Sequence, residues 1–197
     1  MDEELQIQRM THEQARILNH FGRATRVVVY GCAGSGKTMV AVEQARRLAD
    51  AGRRVLLVCY NRALRRFLEE RFPWRGVEYS HFHSLCAQLA RKAGGTLPKY
   101  KGEPPPQYWR EELPLALMEA VETLGPQFDA VLVDEAQDFH NDWIDALMAT
   151  LTNPVDDPVW LFMDANQDIY GADLRVPTEF QPLDLVHNCR NTQEIQN

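Results

Sequence analysis

Five short apolar runs divide the chain: Arg26-Val27-Val28-Val29-Tyr30, Val55-Leu56-Leu57-Val58-Cys59, Val77-Glu78-Tyr79-Ser80, Ala130-Val131-Leu132-Val133 and Val159-Trp160-Leu161-Phe162-Met163. Most are continuous and rich in β-branched residues, not alternating, which predicts parallel strands covered on both faces. Between them lie segments with helical spacing of apolar positions, predicting helices over 11–19, 39–51, 62–72, 83–93, 111–124 and 141–151. Gly52, Pro73 and the pair Gly94-Gly95 close three of these, as helix-ending residues do. Thr11 is placed to cap the first helix, with Gln14 at the position that completes a capping box. Residues 94–109 hold Gly94, Gly95, Gly102 and Pro104-Pro105-Pro106, and read as a loop or the start of an insertion. Strands alternating with helices predict an α/β fold, a parallel sheet with helices on both faces. Its ligands should sit at the carboxyl ends of the strands.

The chemistry follows two of those runs. After 26–30 comes Gly31-Cys32-Ala33-Gly34-Ser35-Gly36-Lys37-Thr38, a G-x-x-x-x-G-K-T loop opening a helix. Gly31, Gly34 and Gly36 allow a tight backbone, so that the N–H groups of Ala33, Ser35 and their neighbours converge on an anion. The helix starting near Lys37 adds its positive end. Lys37 is suited to reach β- and γ-phosphates, and the Thr38 hydroxyl to ligate Mg²⁺. After 130–133 comes Asp134-Glu135-Ala136-Gln137-Asp138. Asp134 is the expected acid on the Mg²⁺ side, and Glu135 the group that orients and deprotonates an attacking water.

Composition narrows the setting. A chain of 197 residues with 45% hydrophobic content suits one domain, or one domain with a small insertion. No stretch approaches a membrane span, and the acidic start Met1-Asp2-Glu3-Glu4 is unlike a signal peptide, so the expected place is the cytoplasm. Cys32, Cys59, Cys86 and Cys189 are widely spaced, which points away from a metal or disulfide framework. With 28 acidic against 21 basic residues the net charge is −7, by itself unfavourable for contact with nucleic acid. Arginines nevertheless gather at 46, 47, 53, 54, 62, 65, 66, 71 and 75. A local basic face and ordinary solvated helix surfaces account for them equally well.

With the glycine loop and Asp-Glu-Ala-Gln-Asp together, the chain resembles superfamily 1 helicases of the UvrD/Rep type over roughly residues 8–195. The resemblance implies a RecA-like P-loop domain that binds ATP and Mg²⁺. Those enzymes couple hydrolysis between two such domains to movement along single-stranded DNA, or RNA in some relatives. It assigns Gln14, in Thr11-His12-Glu13-Gln14, to the adenine. Asn61 and Arg62, in Tyr60-Asn61-Arg62-Ala63-Leu64, fall to backbone phosphate, and Phe82, in Ser80-His81-Phe82-His83-Ser84, to base stacking, with core packing the alternative. In 161–171 it makes Gln167 the γ-phosphate sensor and places Tyr170 near the nucleic-acid track, or in simple packing. Ala172 and Asp173 depart from the family's aromatic and arginine. In Asn188-Cys189-Arg190-Asn191, Arg190 inherits charge neutralisation at the γ-phosphate, while Cys189 stands where a tyrosine is usual. The family's later motifs do not follow before Asn197, so the resemblance implies a single motor domain whose second RecA-like partner lies outside these residues. Residues 94–128 then form a reduced helical insertion, and the isolated domain is expected to bind ATP·Mg²⁺ weakly, hydrolyse it slowly and not unwind duplex.

Overall fold

The computed structural model describes residues 12–164 and 174–185. Its elements run α1 (His12–Phe21), β1 (Arg26–Gly31), α2 (Lys37–Asp50), β2 (Val55–Cys59), α3 (Arg62–Arg71), β3 (Val77–His81), α4 (Phe82–Lys92), α5 (Leu113–Leu124), β4 (Ala130–Asp134), α6 (Asn141–Ala149), β5 (Val159–Asp164) and β6 (Gln181–Leu185). The six strands form one sheet in the order β3-β2-β4-β5-β1-β6, and every pairing is parallel. All five expected strands are present. β6 is the one not anticipated. Pro182 interrupts its short sequence, and a proline is tolerated only at a sheet edge, which is where β6 lies, beside β1.

Alternate residues of each strand feed opposite sides of the sheet, so two cores form. Val28, Leu56, Val58, Val131, Val133 and Leu161 pack against α4, α5 and α6. Val27, Val29, Leu57, Leu132, Trp160 and Phe162 pack against α1, α2 and α3. Burying both faces explains why the runs are continuously apolar. At roughly 1.5–3 kcal/mol per fully buried large side chain, these layers supply the main favourable free energy of folding.

Proline shapes the approach to α5. Pro114 has no N–H to give the carbonyl four residues back, and the chain adopts a π-helical turn over Tyr108–Glu112 before α5 begins. The Arg110 carbonyl, which that N–H would have reached, accepts instead from Trp143 Nε1 of α6 at 3.0 Å. The helix expected from 111 therefore starts at Leu113.

At the amino ends of the strands a set of arginines joins neighbouring segments. Arg54 makes a two-pronged pair with Asp129, Nε to Oδ2 at 3.0 Å and Nη2 to Oδ1 at 2.8 Å. The Arg54 hydrogen bonds hold the Asp129 carboxyl below the ordinary aspartate range. Thr152 Oγ1 donates to the same carboxylate at 2.8 Å. Arg53 bonds the Asp129 carbonyl and the Asp157 carboxylate, and Arg26 donates to the carbonyls of Asp157 and Pro154.

Candidate nucleotide-binding site

The loop between β1 and α2 takes the shape its glycines permit. Gly34 and Gly36 have φ of 84° and 88°, in the left-handed region that glycine occupies without a steric penalty. Ser35 N–H donates to the Cys32 carbonyl at 3.1 Å, closing the turn. Ala33 lies exposed at its tip, while Ser35 is buried. Gly31 ends β1 where a Cβ would lie 2.4 Å from Ser35 Oγ. Gly36 then caps α2.

Lys37 is only 6% exposed. Its ammonium donates back to the Gly31 carbonyl at 2.8 Å and the Cys32 carbonyl at 3.3 Å. The cation thus lies across the span of the loop that would receive phosphate. One residue further on, Thr38 Oγ1 donates to Asp134 Oδ2 at 2.8 Å, linking the start of α2 to the end of β4. β5 lies between β1 and β4 in the sheet, so the helix, not strand adjacency, brings these residues together.

Asp134 is fully buried. Burial pushes its carboxyl up to about 6, opposed by the Thr38 hydrogen bond and the Lys37 charge. The next residue, Glu135, has φ 54°, and no other non-glycine residue among those described lies at positive φ. Such a backbone is sparsely populated outside glycine and gathers at functional sites. Glu135 Oε2 accepts from Gln137 Nε2 at 2.6 Å. A hydroxyl and a carboxylate in contact suit a hard divalent cation, and Mg²⁺ usually takes one or two protein oxygens together with substrate phosphates. Among the described residues no cluster of three or more His, Cys, Asp or Glu forms an all-protein metal site. Thr38 and Asp134 therefore fit a metal that arrives with a nucleotide.

Gln14 lies against this loop. Its Nε2 donates to the Ser35 carbonyl at 3.0 Å and is buried. It sits so close over Gly36 that a Cβ there would come within 2.0 Å of it. Gln167, Tyr170 and Arg190 fall outside the described residues. The structure thus brings Gln14, Gly31, Ser35, Gly36, Lys37, Thr38, Asp134 and Glu135 to one corner of the carboxyl edge.

The residues assigned to nucleic acid separate. Asn61 Oδ1 accepts from Ala63 N–H at 2.7 Å and Leu64 N–H at 3.4 Å, capping α3. Arg62 is exposed in the first turn of α3, where a cation opposes the helix dipole and is unfavourable for the helix itself. Phe82 requires correction as a stacking face. It is 1% exposed, its ring stacked on Trp143 with centroids 4.7 Å apart and planes 18° from parallel. The chain enters α4 at Phe82, so its side chain joins Leu85, Cys86 and Leu89 in the core. Beside Asn61 it is Tyr60 that is exposed, 44% accessible, with its ring edge-on to Phe139 and tilted against His81. It directly precedes Asn61 at the end of β2, a position without helical or strand periodicity to mark it.

A phosphate-binding loop at the carboxyl edge of a six-stranded parallel sheet, joined through a hydroxyl to a buried acid two strands away, defines a P-loop nucleotide-binding domain of RecA-like fold. The chain belongs to the AAA domain family, whose model matches residues 14–173. No curated protein matches it. Solved structures that share the fold include a Pif1 helicase from Candida albicans, with a TM-score of 0.56 and 12% identity over 91% of this chain and 40% of that one. Another is Bacteroides Pif1 bound to single-stranded DNA, with a TM-score of 0.52 and 16% identity over 94% and 43%. A third, from a study of forked-duplex unwinding by two coordinating Pif1 helicases, has a TM-score of 0.53 and 16% identity over 94% and 46%. The chain spans less than half the length of each. At these identities the likeness is one of fold, and the expected RecA-like fold stands. Among the described residues no helix is long and apolar enough to cross a membrane.

Proposed function

We propose that the chain is the ATP-binding and ATP-hydrolysing motor domain of a DNA helicase of the UvrD/Rep kind. In the full protein it would couple hydrolysis to movement on single-stranded DNA together with a second RecA-like domain, in the cytoplasm. The observation that carries this is the 2.8 Å bond between Thr38 and Asp134, beside a lysine already lying across the loop. Mg²⁺, when bound, would supply neutralisation of phosphate charge. Thr38 and Asp134 would hold it, Lys37 would turn from the Gly31 and Cys32 carbonyls to the β- and γ-phosphates, and Glu135 would take a proton from the attacking water. Gln167 and Arg190 are proposed to complete the γ-phosphate end, and Gln14 to support the loop from behind while bordering the base.

For the nucleic-acid strand the reading favours Tyr60 as the stacking face, with Arg62 and Asn61 at the phosphates beside it. Stacking of a base on an exposed ring is worth about 1–3 kcal/mol and needs no particular sequence. Tyr170 would lie further along the same track.

Two titrations test the proposal. A fluorescent ATP analogue with Mg²⁺ should bind the chain, and Lys37→Ala should weaken it at least tenfold; equal binding by the variant would remove the catalytic assignment. Fluorescein-labelled oligothymidylate should bind in a salt-dependent manner. Tyr60→Ala should weaken that binding about tenfold, and Tyr60→Phe should preserve it.

A further inference from the structure

Gln137 occupies a place that the assignments above do not explain. It is the fourth residue of Asp134-Glu135-Ala136-Gln137-Asp138 and lies in the short 3₁₀ turn Ala136–Asp138. Its amide is used at both ends. Nε2 donates to Glu135 Oε2 at 2.6 Å, and Oε1 accepts from the Asp164 N–H at 3.2 Å. Asp164 is the last residue of β5, three positions before Gln167 in the chain. One side chain therefore bridges the carboxylate proposed as base and the strand end that leads to the residue proposed as γ-phosphate sensor.

The geometry explains why such a bridge is needed. Glu135 sits at φ 54°, so its backbone has no regular element to fix the direction of its side chain. Its N–H bonds the Asp134 carboxylate at 3.2 Å, which orients the main chain only. Gln137 supplies the contact that aims the carboxylate. Because an amide's oxygen and nitrogen are fixed on one plane, a shift of the β5 end is carried to the Glu135 oxygen by rotation of a single group.

We propose that Gln137 is a positioning residue that sets the Glu135 carboxylate for hydrolysis in register with the end of β5. The proposal rests on the reading of Glu135 as base. It separates binding from turnover: the two Gln137 hydrogen bonds go to Glu135 and Asp164 and not to the phosphate loop or Thr38, so its loss should leave nucleotide affinity alone and reduce the chemical step.

The test uses the 197-residue chain and the size-matched variant Gln137→Met, which removes both polar contacts, beside Glu135→Gln. Affinity for the fluorescent ATP analogue with Mg²⁺ and single-turnover hydrolysis are measured, together with exchange of the Asp164 amide hydrogen by NMR. Binding within twofold of the parent, hydrolysis slowed at least tenfold and Asp164 exchange accelerated at least tenfold support the proposal. Hydrolysis by Gln137→Met within twofold of the parent, while Glu135→Gln has lost it, overturns the proposal and leaves Glu135 as base. Hydrolysis by Glu135→Gln at the parent rate removes the base assignment, and the proposal with it. A parallel loss of binding and turnover in Gln137→Met, or unchanged Asp164 exchange, also overturns it.

Discussion

The contact between Thr38 and Asp134 makes a quantitative prediction that needs no nucleotide. Thr38→Val keeps the size and branching of the side chain and removes only the hydroxyl that donates to Asp134 Oδ2 at 2.8 Å. A hydrogen bond to a charged group contributes about 1.5–3 kcal/mol net, and the carboxylate here is fully buried. Burial pushes the carboxyl up to about 6 in the fold, above the ordinary aspartate range. Because the folded value lies above the unfolded one, Asp134's contribution to stability is complete below about pH 4 and is lost as the pH rises through about 6. Over roughly two pK units the cost of keeping it ionised at pH 7.5 approaches about 3 kcal/mol. Asp134→Asn should therefore stabilise the metal-free protein at pH 7.5, and Thr38→Val should destabilise it. In the double-mutant cycle, measured by urea unfolding, the coupling should be about 1–2 kcal/mol at pH 7.5 and clearly smaller at pH 5, where the carboxyl is largely protonated. A coupling below about 0.5 kcal/mol at pH 7.5, or one that does not change with pH, would show that the hydroxyl does not stabilise a buried charge, and the reasoning would be wrong.

Three further outcomes are expected. Burial lowers the His83 imidazole to about 4, with His81 adding to the effect. Its folded value lies below the unfolded one, so its stabilisation is full above about pH 6.5 and is lost as the pH falls toward 4; thermal unfolding should show about 2 kcal/mol of pH dependence in that window that His83→Phe removes. Gly36→Ala places a Cβ 2.0 Å from Gln14 Nε2 at φ 88°. It should cost about 1–3 kcal/mol in chemical unfolding, only partly recovered by adding Gln14→Ala, because the backbone penalty remains. Asn61→Ala removes the cap that accepts from Ala63 and Leu64 and should lower stability by about 1 kcal/mol, whereas Asn61→Asp should retain it.

The sheet was legible because burial on two faces demands long apolar runs, and the strand bounds at 55–59 match β2. β6 was not, because an edge strand exposes one side and tolerates Pro182 and Asp184. The P-loop was readable as letters because glycine at φ above zero has few substitutes. Phe82 misled because its motif position suggested exposure. The spacing Phe82, Leu85, Cys86, Leu89 is the i, i+3, i+4, i+7 stripe of a core-facing helix, and that signal would have corrected it. The bond of Gln14 to the loop and both bonds of Gln137 could not be read from spacing. Their partners, Ser35, Glu135 and Asp164, are fixed by the fold and not by local sequence, and an amide fits almost any polar neighbour.

The arginine pairs at the amino ends of the strands carry a mechanical meaning. Arg26 and Arg53 fasten β1 and β2 to the loop before β5, and Arg54 fastens β2 to the residue before β4, while the opposite end of the sheet holds the loops that would meet nucleotide and nucleic acid. The amino ends are clamped by paired charges, whereas the contacts at the carboxyl ends, Thr38 to Asp134 and Gln137 to Asp164, come from the residues of the site itself. On the proposed motor reading, a load on the site would be passed through the strands to a base held by paired charges, and such a base is what a stroke would be measured against.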